Sequence, residues 1–323
     1  MHPSDPARAA SSAPAAASSW WDARWRGQPS RLEVWYATFT DRDSGTGVWL
    51  HGELVAPPGG GDPERHGWAA LFPRDGAPVW HRTVRTVGAP TGDPAVFECD
   101  GLRLGPEGST GHAGELSWDL RWDATGQRPL ATFHRRLWER ELLPAAQVVP
   151  APDLAVSGTI DRGDQRVELA GAHGQVARIY GHGNAERWAW LHADLGGGEL
   201  LELVTAVSTR PGLKRLPPIT FLRFRLDGRD WPTSVAPAFR LTARLGLPSW
   251  RVAGRIGRSR VRIEVDQPQD RNVTVGYTDP DGRTATCTNT ERADLRVELV
   301  DPDGRTRRWE LEGTAHAEVG TRP

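Results

Sequence analysis

From Trp20 onward, short segments of alternating apolar and polar residues are separated by Gly, Pro and Asp clusters. The spacing between these clusters, about ten residues, is typical of antiparallel β-strands joined by tight turns. "RLEVWYATF" and "VWLHGELVA" flank "TDRDSGTG", and "DPDG" occurs twice between strand-like segments. In "DPDG", Pro presets the backbone of the turn and Gly accepts a positive φ near its end. The pattern predicts an all-β protein built from hairpins.

The domain organisation follows from the few segments that lack this alternation. A short helix is predicted at "HRRLWERELL", His134–Leu143. The Pro-rich stretch after it, Pro144–Asp153, has no periodicity and is interpreted as a linker. A chain of 323 residues suits two domains. We therefore predict two antiparallel β-barrels, residues 20–149 and 150–323, preceded by a disordered tail at residues 1–19, which are rich in Ala, Ser and Pro.

Charge and cysteine content exclude several classes of protein. Lys and Arg number 40 against 41 Asp and Glu, so no net field favours nucleic acid. Cys99 and Cys287 are too few for a disulfide framework or a thiolate zinc site. The first residues lack a signal-peptide core, and no segment approaches the length of a membrane-spanning helix. We expect a cytoplasmic protein without an integral membrane segment or a nucleic-acid partner.

The segment "YGHGNAERWAWLHADL", Tyr180–Leu195, divides its residues unusually between two faces. A strand directs alternate side chains to opposite sides. One face would carry the aromatic and nearly all the titratable residues, namely Tyr180, His182, Asn184, Glu186, Trp188, Trp190, His192 and Asp194. The other face would carry mostly Ala and Leu.

Two interpretations of the polar face remain open. In the first, Trp188 and Trp190 pack in a core while His192 and Asp194 meet solvent at the strand end. In the second, the face lines a ligand cavity and the Ala and Leu side chains pack outward against a neighbouring layer. A barrel of about eight strands can enclose one small ligand. A buried carboxyl group becomes a better acid near neutrality, and aromatic faces stabilise positive charge. We expect the Trp face to point inward.

A second candidate face lies in the first half of the chain. Trp49, His51 and Glu53 alternate in "VWLHGEL", as Glu98 and Asp100 do in "VFECDG". Either set could face a cavity between the barrels. Isolated charges are rarely buried, so a solvent-exposed face is the favoured interpretation.

"RLPPITFLRFRL" combines Arg with apolar residues. It could border an entrance for a lipophilic substrate. The favoured interpretation is a strand with its Arg residues on a solvated face.

Other kinds of site find little support. The His and carboxylate residues of the Tyr180–Leu195 segment match none of the compact metal-ligand spacings. "PPGGGD" and "LGGGE" lack the lysine of a phosphate-binding loop, and no "GxSxG" motif is present. We predict neither a metal nor a cofactor.

Three segments carry a resemblance to a known family: "VSGTIDRGDQRVELAGAHGQVARIYGHGNAERWAWLHADL", "FLRFRLDGRDW" and "VTVGYTDPDGRTATCTNTERADLRVEL". They resemble the hydroxyneurosporene synthase and carotenoid 1,2-hydratase superfamily, which includes tocopherol cyclases and lipocalin-like Diels–Alderases. The resemblance implies two lipocalin-like barrels in tandem. It also implies hydration, protonation-started cyclisation or pericyclic ring closure of hydrophobic polyenes without a redox cofactor. Relatives carry a Trp-Gly element that "GHGNAERWAW" lacks.

The resemblance matches the family's His and acid to His182 and Glu186, and its paired aromatic residues to Trp188 and Trp190, which His192 and Asp194 follow. From these residues we predict the catalytic roles. The acid would be Glu186 or Asp194, with His192 or His182 as its partner, and Trp188 and Trp190 would form the wall of the site. The remaining candidates for substrate binding are Tyr180, Asn184, Trp49 and His51. The predicted function is binding of a polyene or isoprenoid-like molecule and its cyclisation, hydration or isomerisation, and the alternative is a non-catalytic carrier or sensor.

Overall fold

A computed structural model describes residues 20–141 and 143–323, with the side chain of Arg135 excepted. The tail expected at residues 1–19 lies outside the described residues. The predicted helix forms over five residues as α1 (Arg135–Glu139). In the described part of the chain, no helix is both long and apolar enough to cross a membrane.

Within the described residues, eleven antiparallel strands form the first sheet. They are β1 (Arg31–Asp41), β2 (Thr46–Ala56), β3 (Glu64–Phe72), β4 (Val79–Arg82), β5 (Thr86–Val87), β6 (Phe97–Cys99), β7 (Leu102–Gly105), β8 (Gly108–Ala113), β9 (Leu116–Arg121), β10 (Ala145–Arg162) and β11 (Gln165–Gly181). Their order is β4-β3-β2-β1-β11-β10-β9-β8-β7-β6, and β5 pairs with β3.

In the same described part of the chain, ten antiparallel strands form the second sheet. They are β12 (Arg187–Gly196), β13 (Glu199–Val207), β14 (Ile219–Leu226), β15 (Arg229–Trp231), β16 (Leu241–Arg244), β17 (Ser249–Ile256), β18 (Ser259–Asp266), β19 (Val273–Thr278), β20 (Thr284–Val300) and β21 (Thr306–Thr321). Their order is β15-β14-β13-β12-β21-β20-β18-β17-β16, and β19 pairs with β20. Short 3₁₀ helices occupy Leu213–Arg215, Ala236–Phe239 and Gln269–Arg271.

The hairpins predicted from turn residues are present. Both "DPDG" turns connect adjacent antiparallel strands, β19 to β20 and β20 to β21. Gly282 and Gly304 have φ of 79° and 87°, the conformation for which glycine was expected there. The prediction of an all-β protein with two antiparallel β-barrels in tandem and little helix is confirmed, because the strands form two large curled antiparallel sheets.

From Ala145 onward the Pro-rich segment Pro144–Asp153 is strand, and its interpretation as a linker is wrong. It forms the first half of β10, where Val148 and Ala151 are buried. Pairing with β11 shifts register between Val148 and Leu154, where two of the prolines lie. Proline lacks an N–H and is tolerated in strands at such irregularities. The chain passes from the first sheet to the second between Gly181 and Arg187, so a division at residue 150 would cut through β10.

Each sheet curls around its own apolar core. The first core includes Trp35, Phe39, Leu50, Leu71, Trp118 and Val176. The second includes Ala189, Leu191, Leu203, Phe224, Val252 and Leu295. The opposite faces of the two sheets pack against each other, with β1 and β2 contacting β20 and β21. We call the side chains between the sheets the intersheet layer. Its members include Tyr36, Thr38, Trp49, His51, Trp68, Trp188, Trp190, His192, Glu202, Tyr277, His316 and Glu318.

Strand β12 has buried residues on both faces. Ala189 and Leu191 point into the second core, whereas Trp188, Trp190 and His192 point toward the first sheet. The expectation that Ala and Leu pack outward while the Trp face lines the inside of a barrel is therefore wrong. The alternative in which His192 meets solvent is also wrong, because its side chain is 1% exposed. In a strand that is buried on both faces, the alternation of residue types does not show which face packs in the core of its own sheet.

Candidate active site

Trp188 and Glu318 form the first polar contact of the intersheet layer. The indole of Trp188 donates to Glu318 Oε1 at 2.7 Å, and the Cys287 thiol lies 3.4 Å from Glu318 Oε2. Gly320 lies directly opposite Trp188 in β21, and a Cβ there would come within 2.0 Å of the indole. Burial raises the pKa of Glu318, so the carboxyl group favours its protonated form more than a solvated glutamate does.

Trp190 and His192 share a second carboxylate, Glu202, which lies opposite His192 in β13. Glu202 Oε1 accepts from Trp190 Nε1 at 2.6 Å and from Gln147 Nε2 at 2.7 Å. Its other oxygen, Oε2, lies 3.0 Å from His192 Nδ1. Glu202 is fully buried, and these three groups supply the hydrogen bonds that a buried carboxylate requires.

His316 joins this group to β1. Its ring lies 5.5 Å from the ring of His192, and the Oγ1 atoms of Thr38 and Thr40 lie 3.0 and 2.9 Å from its two nitrogens. Burial lowers the pKa of His316, and electrostatic interaction with neighbouring His192 lowers it further. His316 is therefore neutral at physiological pH, with one ring nitrogen as donor and the other as acceptor.

On the first sheet, Glu53 stands between two histidines. His66 Nε2 lies 2.7 Å from Glu53 Oε1, and His51 Nε2 lies 3.5 Å from Oε2. Burial alone would raise the pKa of Glu53, but the close contacts with His51 and His66 outweigh burial and lower it to about 2. Burial lowers the pKa of His51. The pair is an ionised carboxylate beside a neutral imidazole.

Aromatic rings connect these polar groups across the layer. The His51 ring stacks on Trp68 at 3.8 Å with an interplanar angle of 6°. The Tyr277 ring lies 5.6 Å from His51 and 6.3 Å from Trp188. The centroid of the Tyr36 ring lies 6.4 Å from that of the His51 ring, and the Tyr36 ring contacts the Trp190 ring edge-on at 5.5 Å. The rings form one continuous apolar wall with Glu318 and Glu53 at its edges.

Some buried polar atoms of this region have no protein partner. Among the described residues, neither side-chain amide atom of Gln175 makes a hydrogen bond, nor does Trp68 Nε1. Such atoms in a native structure call for a ligand or an ordered water. No cluster of three or more His, Cys, Asp or Glu residues in 20–141 and 143–323 is arranged to hold a metal ion.

The structure brings together five of the residues singled out from sequence. Trp49, His51, Trp188, Trp190 and His192 all belong to the intersheet layer. The side chains of Trp49, His51 and Glu53 are 2%, 4% and 1% exposed, so the solvent-exposed interpretation of that face is wrong. Glu53 contacts His51 and His66, and the spacing along β2 alone does not reveal these contacts.

The three remaining catalytic candidates lie apart from one another. Glu186 forms an ion pair with Lys214 at 2.9 Å, and Asp194 forms one with Arg42 at 2.8 Å. Eight residues of extended chain separate these carboxylates, a span of about 26 Å. His182 is exposed, with Nδ1 3.1 Å from Arg31 Nη1.

Two of the proposed substrate-binding residues also have other surroundings. Asn184 donates to Asp279 Oδ1 at 2.8 Å. Tyr180 packs in a separate cluster with Trp138, and its hydroxyl accepts from Arg31 Nε at 3.1 Å. Neither side chain is part of the intersheet layer.

Sequence reasoning missed Glu202, Tyr277, His316 and Glu318. The segment "TAHAEVG" in β21 contains a signal for two of them. His316 and Glu318 alternate there with Ala315 and Ala317, which repeats the polar and small-residue alternation of β12. In contrast, Glu202 lies within the largely apolar "ELLELVTAV", where no such pattern is visible.

Comparison with known proteins places this architecture in a family. A protein of Mycobacterium tuberculosis (strain ATCC 25618 / H37Rv) named "Uncharacterized protein Rv0493c" is 50% identical over 299 residues, which cover 93% of this chain and 89% of the relative. The crystal structure of CghA with Sch210972 is similar with a TM-score of 0.61 and 14% identity, over 90% of this chain and 88% of that one. Kievitone hydratase from Nectria haematococca is similar with a TM-score of 0.55 and 11% identity, over 89% of this chain and 88% of that one. The family model described as tocopherol cyclase-like matches residues 100–321, and this chain belongs to that family.

Proposed function

We propose that this protein is a cofactor-independent enzyme that transfers protons to and from a hydrophobic polyene or isoprenoid-like substrate in the intersheet layer. One observation carries the proposal. Glu318, whose pKa is raised by burial, is held by the Trp188 indole, while His51, whose pKa is lowered by burial, faces it across Tyr277. Titratable groups whose environments push their pKa values apart are suited to act as acid and base.

In the proposed reaction, Glu318 is the acid. Its carboxyl proton passes to one carbon of an alkene, and the π electrons form the new C–H bond. The adjacent carbon becomes cationic and is stabilised by the faces of Trp188 and Tyr277. Attack by a second alkene closes a ring, or attack by water forms an alcohol. The proton released in the final step passes to His51, whose charge Glu53 stabilises. His51 then releases this proton to solvent, and solvent returns a proton to Glu318.

Substrate binding requires movement within the aromatic wall. The rings of His51, Trp68 and Tyr277 contact one another, so a substrate must separate them. Tyr277 belongs to β19, which pairs with β20 outside the main strand order of the second sheet, and we propose that its ring is the one that moves. The aromatic surface that is then exposed suits a flat apolar molecule.

The comparisons support the reaction class in two ways. The family is described as tocopherol cyclase-like, and one structural neighbour is a hydratase. The acid beside the Trp pair favours catalysis over a carrier role, because binding an apolar ligand requires the wall but no proton donor.

The test starts from the ligand that the protein itself retains. Organic extraction of the purified protein, followed by mass spectrometry, identifies bound polyenes, and these are incubated with wild type, Glu318→Gln and Glu186→Gln. Glu186→Gln is the matched control, because Glu186 is a partly buried carboxylate near Trp188 in sequence but is paired with Lys214. We expect turnover by wild type and by Glu186→Gln, and loss of at least two orders of magnitude in Glu318→Gln.

The outcomes separate the alternatives. Turnover by Glu318→Gln at the wild-type rate would exclude Glu318 as the acid. Loss of turnover only in Glu186→Gln would assign that role to Glu186. A captured ligand that wild type leaves unchanged would indicate a carrier.

A further inference from the structure

The segment that joins β13 to β14 exposes a group of apolar side chains. Residues 210–217 are all exposed. Leu213, Leu216 and Ile219 are 40%, 51% and 39% exposed, and the 3₁₀ helix Leu213–Arg215 buries none of its residues. A cluster of exposed aliphatic side chains on one segment marks an interaction surface more often than scattered ones do.

Cationic residues alternate with these apolar ones. Arg210, Lys214 and Arg215 lie in the same ten residues, which contain no acidic residue. Lys214 is paired with Glu186, whereas Arg210 and Arg215 take part in none of the ion pairs found in the described part of the chain. The segment therefore presents uncompensated positive charge beside its aliphatic side chains.

The segment is held in place at one end of the intersheet layer. The Lys214–Glu186 pair fixes it to the residue that precedes β12, and the Glu186 N–H donates to Val207 O at 3.0 Å. Trp188 follows two residues later. Pro211, Pro217 and Pro218 restrict the backbone, which lowers the entropy lost when the segment binds.

We propose that residues 210–219 form a docking site for the surface of an anionic phospholipid bilayer. Leu213, Leu216 and Ile219 enter the boundary between headgroups and acyl chains, and Arg210 and Arg215 contact lipid phosphates. Charge complementarity favours this partner, because anionic headgroups attract Lys and Arg while the acyl chains accept the aliphatic side chains. The cores of protein interfaces, in contrast, are depleted of charged residues. The proposal is independent of the catalytic roles assigned above.

The experiment is co-sedimentation of the full chain with vesicles. Phosphatidylcholine vesicles with and without phosphatidylserine are compared for wild type and for Leu213→Asp combined with Leu216→Asp. The matched control is Val84→Asp combined with Val87→Asp, which changes one residue before β5 and one residue in it that are 60% and 64% exposed. Circular dichroism of each variant verifies folding, which substitutions at exposed positions preserve.

We expect wild type to bind the phosphatidylserine vesicles and to bind less at high salt, since screening weakens the attraction of Arg210 and Arg215. Replacing both Leu residues should lower binding at least about tenfold, from the loss of two buried side chains. The Val control should bind as wild type does. The proposal would be overturned if wild type did not bind phosphatidylserine vesicles. It would also be overturned if the double Leu variant and the double Val variant bound these vesicles equally.

Discussion

Replacing Glu53 by Gln tests the electrostatics of the first-sheet half of the site. Glu53 is 1% exposed, and although burial raises its pKa, the contacts with His51 and His66 outweigh burial and lower it from 4.5 to about 2. At about 1.36 kcal/mol for each pH unit, this difference corresponds to roughly 3 kcal/mol of folding stability. We expect the free energy of unfolding of Glu53→Gln at neutral pH to be lower than that of wild type by roughly this amount.

The contribution of Glu53 to the free energy of unfolding decreases as pH falls. The unfolded chain binds a proton at Glu53 more readily than the folded chain does. The stabilisation is therefore complete above pH 4.5 and is lost as pH falls toward about 2. Glu318 and Glu291 have raised pKa values and act in the opposite direction, so the informative quantity is the difference between wild type and Glu53→Gln.

Urea unfolding followed by Trp fluorescence measures this difference at several pH values. The control is Glu98→Gln, which removes an exposed carboxylate paired with Arg103 at 3.0 Å in the same sheet. Exposed pairs contribute little, and we expect a change of at most about 1 kcal/mol there. Equal free energies of unfolding for Glu53→Gln and wild type at neutral pH would refute this prediction. A difference between them that is undiminished near pH 2 would also refute it.

Other substitutions and reagents test separate parts of the structure. Glu33→Ala leaves fully buried Arg178 without its carboxylate partner, and thermal unfolding should show that the free energy of unfolding falls by about 3–5 kcal/mol. A decrease below about 1 kcal/mol, which is typical of surface ion pairs, would contradict this. Gly320→Ala places a methyl group where the Trp188 indole lies, so near-ultraviolet circular dichroism should change, and an unchanged spectrum would show that the indole is elsewhere. Cys287 is buried, which raises the pKa of its thiol; it should react with Ellman's reagent only on unfolding, and rapid reaction of the folded chain would argue against this packing.

The sequence predicted the secondary structure well where turn chemistry is local. Gly and Pro in each "DPDG" turn restrict four consecutive residues, so the β19–β20 and β20–β21 hairpins could be expected without tertiary information. Pro144–Asp153 shows the limit of such reasoning. Its prolines predict a linker, yet pairing with β11 and burial in the first sheet keep the segment extended.

The candidate site was predicted only in part for a related reason. Alternation along β12 correctly separates Trp188, Trp190 and His192 from the Ala and Leu residues, because successive side chains of a strand point to opposite sides. The same alternation leaves open which side is interior. Each curled sheet has buried residues on both faces, and the direction of β12 follows from the packing of the first sheet against the second.

The sequence by itself determined that this chain folds into antiparallel sheets and that β12 carries aromatic and titratable side chains on one face. Only the tertiary structure decided which acid those aromatic residues meet. Glu318 reaches Trp188 across 130 residues of sequence, and it does so because β12 pairs with β21 in one particular register. Alternation is a property of a single strand, whereas register is set by the packing of strands that are distant in the chain.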